Sequence, residues 1–378
     1  MKLKNLVLMV AVLFILTASM RSDKPEAGNN DKRKKVIIGY VGGYKGRIDI
    51  AGISAGKLTH INYAFVNIKN GRAFLDNEVT DTSNFRSLNR LKEKNRELKI
   101  LISIGGWSWS ENFSDAVLTD SSRVIFAKSA VDIIRKYALD GVDIDWEYPG
   151  MSGEEGNIYR PEDKQNYTLM FRSLRSELDL LEKETGKKKL LTTATGGFTS
   201  FLEHTEMGKA QQYLDYINLM TYDFYSGSTV GHHTNLYASK AYPAGNNADK
   251  AVKAYIAAGV PAAKLVMGIA FYGRTFVLVD STRILGAKYA SQAYGSGYSF
   301  IKDSLMTNKA FRMYKDKKAK APYLYSASAK KFITYDDEWS VKNKCRYVNK
   351  SGMGGVMFWE YSSDPKEYLV DEINKELK

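Results

Sequence analysis

Residues 140–149 have the sequence Asp140-Gly141-Val142-Asp143-Ile144-Asp145-Trp146-Glu147-Tyr148-Pro149. Because side chains alternate between the two faces of a strand, Asp143, Asp145 and Glu147 share one face. The other face is entirely apolar and consists of Val142, Ile144 and Trp146. Three acids in line cannot face an outer layer of helices at low free-energy cost. They must therefore face the interior and upper mouth of a barrel, with Glu147 at the strand end, where catalytic groups lie.

The spacing of these acids also predicts an unusual protonation state. Consecutive members are separated by roughly 6.6 Å of strand rise. In a partly dry site the charges repel at this spacing, so at least one carboxyl group should keep its proton. A carboxylic acid that stays protonated near neutral pH can donate to a leaving group. The alternatives are an acidic surface strand and a calcium site of three carboxylates; the apolar opposite face argues against them.

Short apolar runs recur on both sides of this strand, and most lack strict alternation. Such runs are typical of strands buried on both faces in a parallel sheet. Stretches of helical period, such as Ser122–Tyr137 and Lys164–Thr185, lie between most of them. Eight strands alternating with helices predict an α/β fold of the TIM (β/α)8 barrel type. The eight runs are Val36–Tyr40, Ile61–Phe65, Ile100–Ile104, Gly141–Trp146, Leu190–Thr195, Tyr216–Tyr222, Leu265–Phe271 and Gly355–Trp359.

The gap between the seventh and eighth runs is unusually long. Its residues Phe276–Lys331 are rich in Tyr and Lys, and its segments are more typical of short strands than of one connecting helix. We predict a small α+β insertion over 276–331, rising from the loop after strand seven. Such loops lie at the catalytic face of barrels, so the insertion should deepen a cleft. Residues 36–378 as a whole should form one catalytic barrel with this insertion.

The composition is that of a globular protein, with 44% hydrophobic and 26% charged residues and a formal net charge of +13. A single cysteine excludes an internal disulfide framework and a thiolate-built zinc site. Four histidines leave little material for a metal cage, and His232-His233 is predicted to lie in a loop. We expect no metal, no cofactor and no nucleic-acid partner, since no nucleic-acid-binding module accompanies the basic runs. A monomer is expected.

The first 35 residues differ from the rest of the chain. Lys2 and Lys4 precede Leu6–Ala18, where 12 of 13 residues are apolar, and small residues follow. This order predicts a signal peptide over 1–20 and a secreted or periplasmic protein. The apolar core is shorter than the roughly 20 residues of a membrane span, so no stable membrane insertion is expected; an uncleaved anchor is the alternative. Residues 21–35 are polar and basic, which favours a flexible linker.

Five motifs together resemble glycoside hydrolase family 18, the chitinase-like enzymes. Residues 140–147 are similar to the family signature D-G-x-D-x-D-x-E, and the resemblance covers nearly the whole chain after the linker. Each short motif is weak alone, but their order and spacing make a strong match. The other four are Ser103 to Trp107 on strand three, Met220-Thr221-Tyr222-Asp223 on strand six, Tyr272-Gly273-Arg274 at the end of strand seven, and Gly355 to Trp359 on strand eight. Residues 333–337 also resemble the stretch that follows the family's α+β insertion.

The resemblance implies a role for each matching residue. Glu147 matches the general acid that protonates the glycosidic oxygen. Asp145 matches the residue that orients the substrate's N-acetyl group, with Asp143 behind it as a proton-sharing partner, and Tyr222 matches the hydroxyl that binds the acetamido carbonyl. The nucleophile is then the acetamido oxygen of the sugar, because this family is a substrate-assisted exception to the two-carboxylate scheme.

The resemblance also implies a set of substrate-binding residues. Trp359 matches the indole floor under the distorted sugar, and Trp107 and Tyr148 should line the leaving-group side. For Tyr40 and Phe65 ordinary barrel core is the alternative, and Arg274 could simply close a salt bridge on the cleft wall. The complete set is Tyr40, Phe65, Gly106, Trp107, Tyr148, Met220, Asp223, Arg274 and Trp359.

The sequence thus predicts a secreted chitinase that hydrolyses β-1,4-N-acetylglucosamine linkages with retention of configuration. Its partner would be chitin or another oligosaccharide that contains N-acetylglucosamine. One alternative is an endo-β-N-acetylglucosaminidase acting on N-glycans or peptidoglycan, because these substrates carry the same acetamido group. Another is a non-catalytic chitin-binding lectin, although such relatives typically lack the glutamate that is present here as Glu147.

Overall fold

The computed structural model describes residues 34–224, 229–240, 245–280 and 284–378. The predicted signal peptide and nearly all of the predicted linker lie outside the described residues. Among the helices of the described part, none combines the length and apolarity needed to cross a membrane.

Eight parallel strands form a closed barrel, which confirms the predicted TIM (β/α)8 fold. The first strand pairs with both the second and the last, so the sheet closes on itself. Each predicted run coincides with a strand to within a few residues. The barrel strands are β1 (Val36–Gly42), β2 (His60–Lys69), β4 (Lys99–Gly105), β5 (Gly141–Asp145), β6 (Leu190–Gly196), β7 (Tyr216–Met220), β8 (Leu265–Ala270) and β14 (Gly355–Trp359), while β3 (Arg72–Phe74) extends β2 as an antiparallel hairpin.

Amphipathic helices cover the outside of the barrel. Two of them begin with reciprocal capping boxes, at Thr119 and at Asp337, because a side-chain oxygen there accepts an otherwise unpaired amide of the first turn. The helices are α1 (Glu78–Arg90), α2 (Phe113–Ala116), α3 (Asp120–Lys136), α4 (Asp163–Thr185), α5 (Thr199–Glu203), α6 (Met207–Ala210), α7 (Ala248–Ala257), α8 (Tyr298–Phe300), α9 (Glu338–Lys350) and α10 (Tyr368–Leu377).

Separate apolar layers lie outside and inside the barrel wall. The outer layer packs strands against helices; Trp146, for example, stacks on Phe113 with ring centroids 5.0 Å apart. The inner layer contains Val36, Ile38, Tyr40, Ala64, Val266 and Met357. Alternation along β5 therefore sends its apolar side chains into the outer layer and its acids into the interior, as the sequence predicts.

A second sheet of five antiparallel strands lies between β8 and β14. Its spatial order is β10-β9-β13-β12-β11, and it encloses its own apolar cluster around Phe276 and Phe332. The sheet starts four residues before the predicted insertion and ends three residues after it. Tyr272-Gly273-Arg274 accordingly lies in the first strand of this sheet and not at the end of barrel strand seven. The strands are β9 (Tyr272–Leu278), β10 (Tyr289–Gly297), β11 (Arg312–Asp316), β12 (Ala321–Ser326) and β13 (Lys331–Thr334).

A buried ion pair joins the segment after β13 to helix α9. Lys344 Nζ lies 2.6 Å from Asp336 Oδ2, and both side chains are fully buried. Replacing Lys344 by Met would leave the aspartate without its cation, so we expect the free energy of unfolding to fall by about 3–5 kcal/mol. Urea denaturation measures this value. The matched control is Lys253→Met, which removes a solvent-exposed pair with Asp249 and should change stability far less. Equal losses in the two variants would contradict the expectation.

Candidate active site

The acids of β5 lie where the sequence places them. The carboxylates of Asp143 and Asp145 are buried inside the barrel, and Glu147 follows two residues after the strand end. Asp143 stands opposite Ser103 of β4 and Thr192 of β6 in the strand register. The three residues of the acid face therefore run from the barrel interior up to its open mouth.

Asp145 and Glu147 open into one large cavity of about 880 Å³ at this mouth. Barrel strand ends, their loops and the second sheet all contribute to its wall. The lining residues are Tyr40, Tyr44, Lys45, Phe65, Gly105, Trp107, Ser108, Trp109, Asp145, Glu147, Tyr148, Ala194, Phe198, Met220, Tyr222, Asp223, Tyr272, Arg274, Tyr294, Trp359, Glu360 and Ser363.

Asp143 is the deepest acid and is bound by hydroxyl groups. Its Oδ2 accepts from Tyr40 Oη at 2.9 Å and from Ser103 Oγ at 2.7 Å, and its Oδ1 accepts from Thr192 Oγ1 at 2.6 Å. Burial raises the pKa of Asp143, and the hydroxyl donors oppose part of that increase. Tyr40 belongs to the inner apolar layer of the barrel and also lines the cavity, so barrel core and substrate binding both remain open for it.

Asp145 and Glu147 both line the cavity, and their protonation is linked. Burial raises the pKa of Asp145 well above its usual value, and the charges of Glu147 and Asp143 raise it further. Burial also raises the pKa of Glu147 to about 7, with a contribution from the charge of Asp223. The Oδ1 atom of Asp145 is buried without a hydrogen-bond partner among the described residues. Burial, more than the mutual repulsion that the spacing predicts, therefore raises the pKa of both acids.

The backbone of Glu147 is held from both sides. Its amide donates to Ser110 Oγ at 2.9 Å, and its carbonyl accepts from Asn157 Nδ2 at 3.2 Å. Gly153 must be glycine, since a Cβ there would lie 2.0 Å from the same carbonyl oxygen. These contacts fix the strand end from which the carboxyl group projects.

Gly106 supports the site without lining the cavity; its neighbour Gly105 does that. Its φ is +85°, and a Cβ would lie 2.6 Å from the ring of Phe65. Its amide donates to the carbonyl of Asp145 at 2.7 Å. The structure thus places Gly106 outside the cavity wall, where its backbone packs closely against Phe65, a residue that does line the wall.

Asp223 connects the barrel to the second sheet. Arg274 makes a bidentate ion pair with it, with Nε to Oδ1 and Nη2 to Oδ2 both at 2.7 Å, and Tyr272 Oη donates to Oδ2 at 2.8 Å. Burial opposes ionisation of Asp223, but His233 and Arg274 more than offset it and hold the pKa below its usual range. The salt bridge suggested for Arg274 is present, and both its members line the cavity.

Aromatic rings line the remaining wall. Trp359 stacks on Phe65 with centroids 5.4 Å apart and on Tyr44 at 6.4 Å. Trp107, with 48% of its surface exposed, packs edge-on against Tyr148 at 6.4 Å. Met220 and Tyr222 also reach the cavity, and burial followed by nearby carboxylates raises the pKa of Tyr222 well above its usual value. Of the thirteen predicted site residues, all line the cavity wall except Asp143 and Gly106.

Several wall residues were not identified from the sequence. Lys45 and Glu360 form an ion pair at 2.7 Å across the mouth, Tyr44 stacks beside Trp359, and Tyr294 stacks on Tyr272. Glu360 directly follows the strand-eight tryptophan, a usable signal. The other residues lie in loops or on the second sheet, where local pattern gives no indication of what they face.

Comparisons with known proteins agree on one family. Residues 36–364 match the family described as glycosyl hydrolases family 18. The chain is 37% identical to chitinase A1 of Niallia circulans over 90% of its own length, and it spans only 58% of that relative. It is 35% identical to chitinase 1 of Aphanocladium album, over 96% of this chain and 90% of the relative.

Solved structures give the same result. A family 18 N-acetylglucosaminidase from Paenibacillus barengoltzii aligns with a TM-score of 0.84 and 38% identity, covering 91% of this chain and all of that one. The chitinase ChiA74 from Bacillus thuringiensis aligns with a TM-score of 0.85 and 34% identity, covering 91% of this chain and 70% of that one.

Proposed function

Because this chain belongs to glycosyl hydrolase family 18, we propose that it is a chitinase that cleaves β-1,4 bonds next to N-acetylglucosamine by a substrate-assisted, retaining mechanism. Glu147 is the general acid and base of the proposal, and Asp145, Asp143 and Tyr222 assist it. Related proteins named as chitinases, at up to 37% identity, support the substrate class.

One observation carries the mechanism: the other carboxylates of the cavity are already occupied. Asp223 is paired with Arg274, and Glu360 is paired with Lys45. Among the described lining residues, the acids without an ion-pair partner are Asp145, at the end of β5, and Glu147, two residues beyond it on the same face. A carboxylate nucleophile facing a separate acid across the sugar is therefore not available, and the nucleophile is assigned to the substrate's acetamido oxygen.

The proposed reaction has two chemical steps. Glu147 donates its proton to the glycosidic oxygen while the acetamido oxygen attacks C1 and the C1–O bond breaks. Asp145, whose Oδ1 has no partner among the described residues, binds the acetamido N–H, and Tyr222 donates to the acetamido carbonyl oxygen. Water then attacks C1 of the oxazolinium ion, the bond from C1 to the acetamido oxygen breaks to restore the acetamido group, and Glu147 accepts the proton of the water. Two inversions at C1 give net retention.

The experiment compares N-acetylglucosamine oligosaccharides with their deacetylated counterparts. We expect hydrolysis of the acetylated chains only, and an initial excess of the β-anomer in proton NMR of the fresh product. Cleavage of a fully deacetylated chain, or an initial α excess, would exclude the acetamido nucleophile. Glycoprotein and peptidoglycan run in parallel test the alternative endo-β-N-acetylglucosaminidase.

A second candidate differs only in the pattern of cleavage. The similarity to a solved N-acetylglucosaminidase, at 38% identity over its full length, favours release of single sugars from chain ends. The product profile from the hexasaccharide separates the two, because an N-acetylglucosaminidase accumulates monosaccharide from the first turnover, whereas an endo-acting chitinase first releases longer products.

The pH dependence follows from Glu147. The active form of a general acid is the protonated one, and the pKa of Glu147 is raised to about 7. Activity should therefore be lost as pH rises through about 7. Replacing Asp223 by Asn removes a negative charge that raises this pKa, so the alkaline limb should move to lower pH. Profiles of kcat/KM measured from acid to alkaline pH check both; an alkaline limb near pH 4.5, the ordinary value for glutamate, would contradict the assignment.

Export from the cytoplasm is also proposed, on the pattern of residues 1–20. N-terminal sequencing of protein recovered from the culture medium or periplasm should give a mature chain that starts near residue 20. An intact N-terminus in a membrane fraction would instead support the uncleaved anchor.

A further inference from the structure

We propose that His233 is a positioning residue for the glycosidase reaction, donating its Nδ1 proton to Asp223 and holding that carboxylate against the cleft wall. The inference rests on the proposed function, because the cleft chemistry gives Asp223 its importance. It also assigns a role to the second residue of the pair His232-His233, which the sequence places in a loop and outside the predicted site.

The ring of His233 is rigidly held. It is fully buried, its Nδ1 lies 3.3 Å from Asp223 Oδ1, and it packs on Tyr272 with centroids 5.3 Å apart. Its backbone is fixed as well, since its amide donates to Thr334 Oγ1 at 3.2 Å and its carbonyl accepts from the amide of Phe224 at 3.1 Å. These contacts tie the histidine to the loop after β7 and to β13.

Hydrogen-bond chemistry fixes which nitrogen carries the proton. The ionised carboxylate of Asp223 can only accept, so Nδ1 must donate. The other nitrogen, Nε2, is buried and has no hydrogen-bond partner in the part of the chain that the structure describes. A proton there would create a second, unpaired donor and a buried charge. The stable form is therefore the neutral tautomer with hydrogen on Nδ1 alone.

Three charged groups and one phenol surround His233. Asp223 lies in the loop after β7, Tyr272 and Arg274 lie on β9, and Asp336 follows β13. Burial lowers the pKa of His233, the charge of Arg274 lowers it further, and the two aspartates oppose the decrease. The imidazole thus stays neutral in the range where Glu147 titrates, and its donor is present throughout that range.

The effect on catalysis passes through Asp223. The donor from His233 helps to keep Asp223 ionised, and only the ionised carboxylate keeps its ion pair with Arg274 on the cleft wall. Without the donor, the pKa of Asp223 should rise towards its ordinary value. The carboxylate would then lose its charge, and with it the ion pair to Arg274 on the cleft wall, at a higher pH than in the wild type, so the acidic limb of the activity profile would move upwards.

Two nearly isosteric substitutions test this role. In His233→Asn the amide nitrogen is attached to Cγ, as Nδ1 is in histidine, so it can donate to Asp223. In His233→Leu a methyl group takes that position. We expect His233→Leu to move the acidic limb of kcat/KM upwards by about one pH unit, the effect of losing one hydrogen bond to a charged group. His233→Asn should keep the wild-type limb. His204→Asn, a partly exposed histidine bonded to a backbone carbonyl, serves as the control.

The outcomes are distinct. Equal profiles for the Asn and Leu variants, or a uniform loss at every pH, would overturn the positioning role in favour of simple space filling. If the wild type itself fails to hydrolyse acetylated oligosaccharides, the proposed function fails instead. If His233→Leu does not fold, nitrogen-15 NMR of the wild type decides: hydrogen on Nδ1 with a bare Nε2 is expected, and an imidazolium or an Nε2–H tautomer would refute the proposal.

Discussion

Glu147→Gln should lower kcat on chitin oligosaccharides by about 10²–10⁴-fold or more, while oligosaccharide binding is retained. Glutamine has the same shape as a protonated glutamic acid and can occupy its place beside Asp145, but it cannot transfer a proton to the glycosidic oxygen. The Ser110 and Asn157 contacts to the backbone of residue 147 do not depend on the side chain, so the strand end should keep its geometry. Steady-state kinetics and calorimetric titration measure the two effects separately.

The leaving group provides a sharper version of this test. In an aryl glycoside with an acidic phenol, the phenolate can leave without first receiving a proton. Glu147→Gln should therefore recover part of the lost rate on that substrate. Glu155→Gln, an exposed glutamate in the following loop, is the matched control and should be fully active. Turnover of chitin oligosaccharides by Glu147→Gln at the wild-type rate would remove Glu147 from the mechanism.

Asp145→Asn should cause the second large loss, with kcat reduced by about 10²–10³-fold. The charge that develops on the acetamido group during ring closure is compensated by Asp145, and an amide cannot supply that compensation. The buried Oδ1 of Asp145 has no partner among the described residues, so the substitution does not remove a structural hydrogen bond from that atom. Thermal unfolding should accordingly show a folded variant.

The two variants should differ in their response to the leaving group. Because Asp145 acts on the nucleophile, Asp145→Asn should be equally slow on natural and aryl substrates, whereas Glu147→Gln is partly spared on the aryl one. Asp145→Asn with the rate pattern of Glu147→Gln would mean that Asp145 acts only through the proton on Glu147. Wild-type kcat in Asp145→Asn would refute its assignment altogether.

The central part of the site was predictable because its residues lie in short continuous segments of the sequence. The alternation along β5 fixes which side chains face the barrel interior. Trp359 is the last residue of the apolar run that forms β14, so its place at the strand end also follows from a short segment. Burial of Val142 and Ile144 in the outer layer follows from the same period of two. Such local regularities do not depend on knowing what lies across the cleft.

The partners in pairings between distant segments were not predictable: the sequence suggests a salt bridge for Arg274, but not with which acid. Lys45 and Glu360 are 315 residues apart, and Asp223 and Arg274 are 51 apart, so the chain gives no local sign that they meet. The assignment of Tyr272-Gly273-Arg274 to barrel strand seven was wrong for a related reason. Only Phe271 separates β8 from β9, and a continuous extended pattern does not reveal that the chain changes sheets.

That change of sheets makes the second sheet inseparable from the barrel's chemistry. Asp223 belongs to a barrel loop, but the arginine and tyrosine bound to its carboxylate belong to β9. Shortening the insertion to open the cleft would therefore also remove Arg274, the counter-charge of Asp223. Conversely, a chimera that received residues 272–334 from a related enzyme would inherit the donor's acid–base tuning together with its cleft wall.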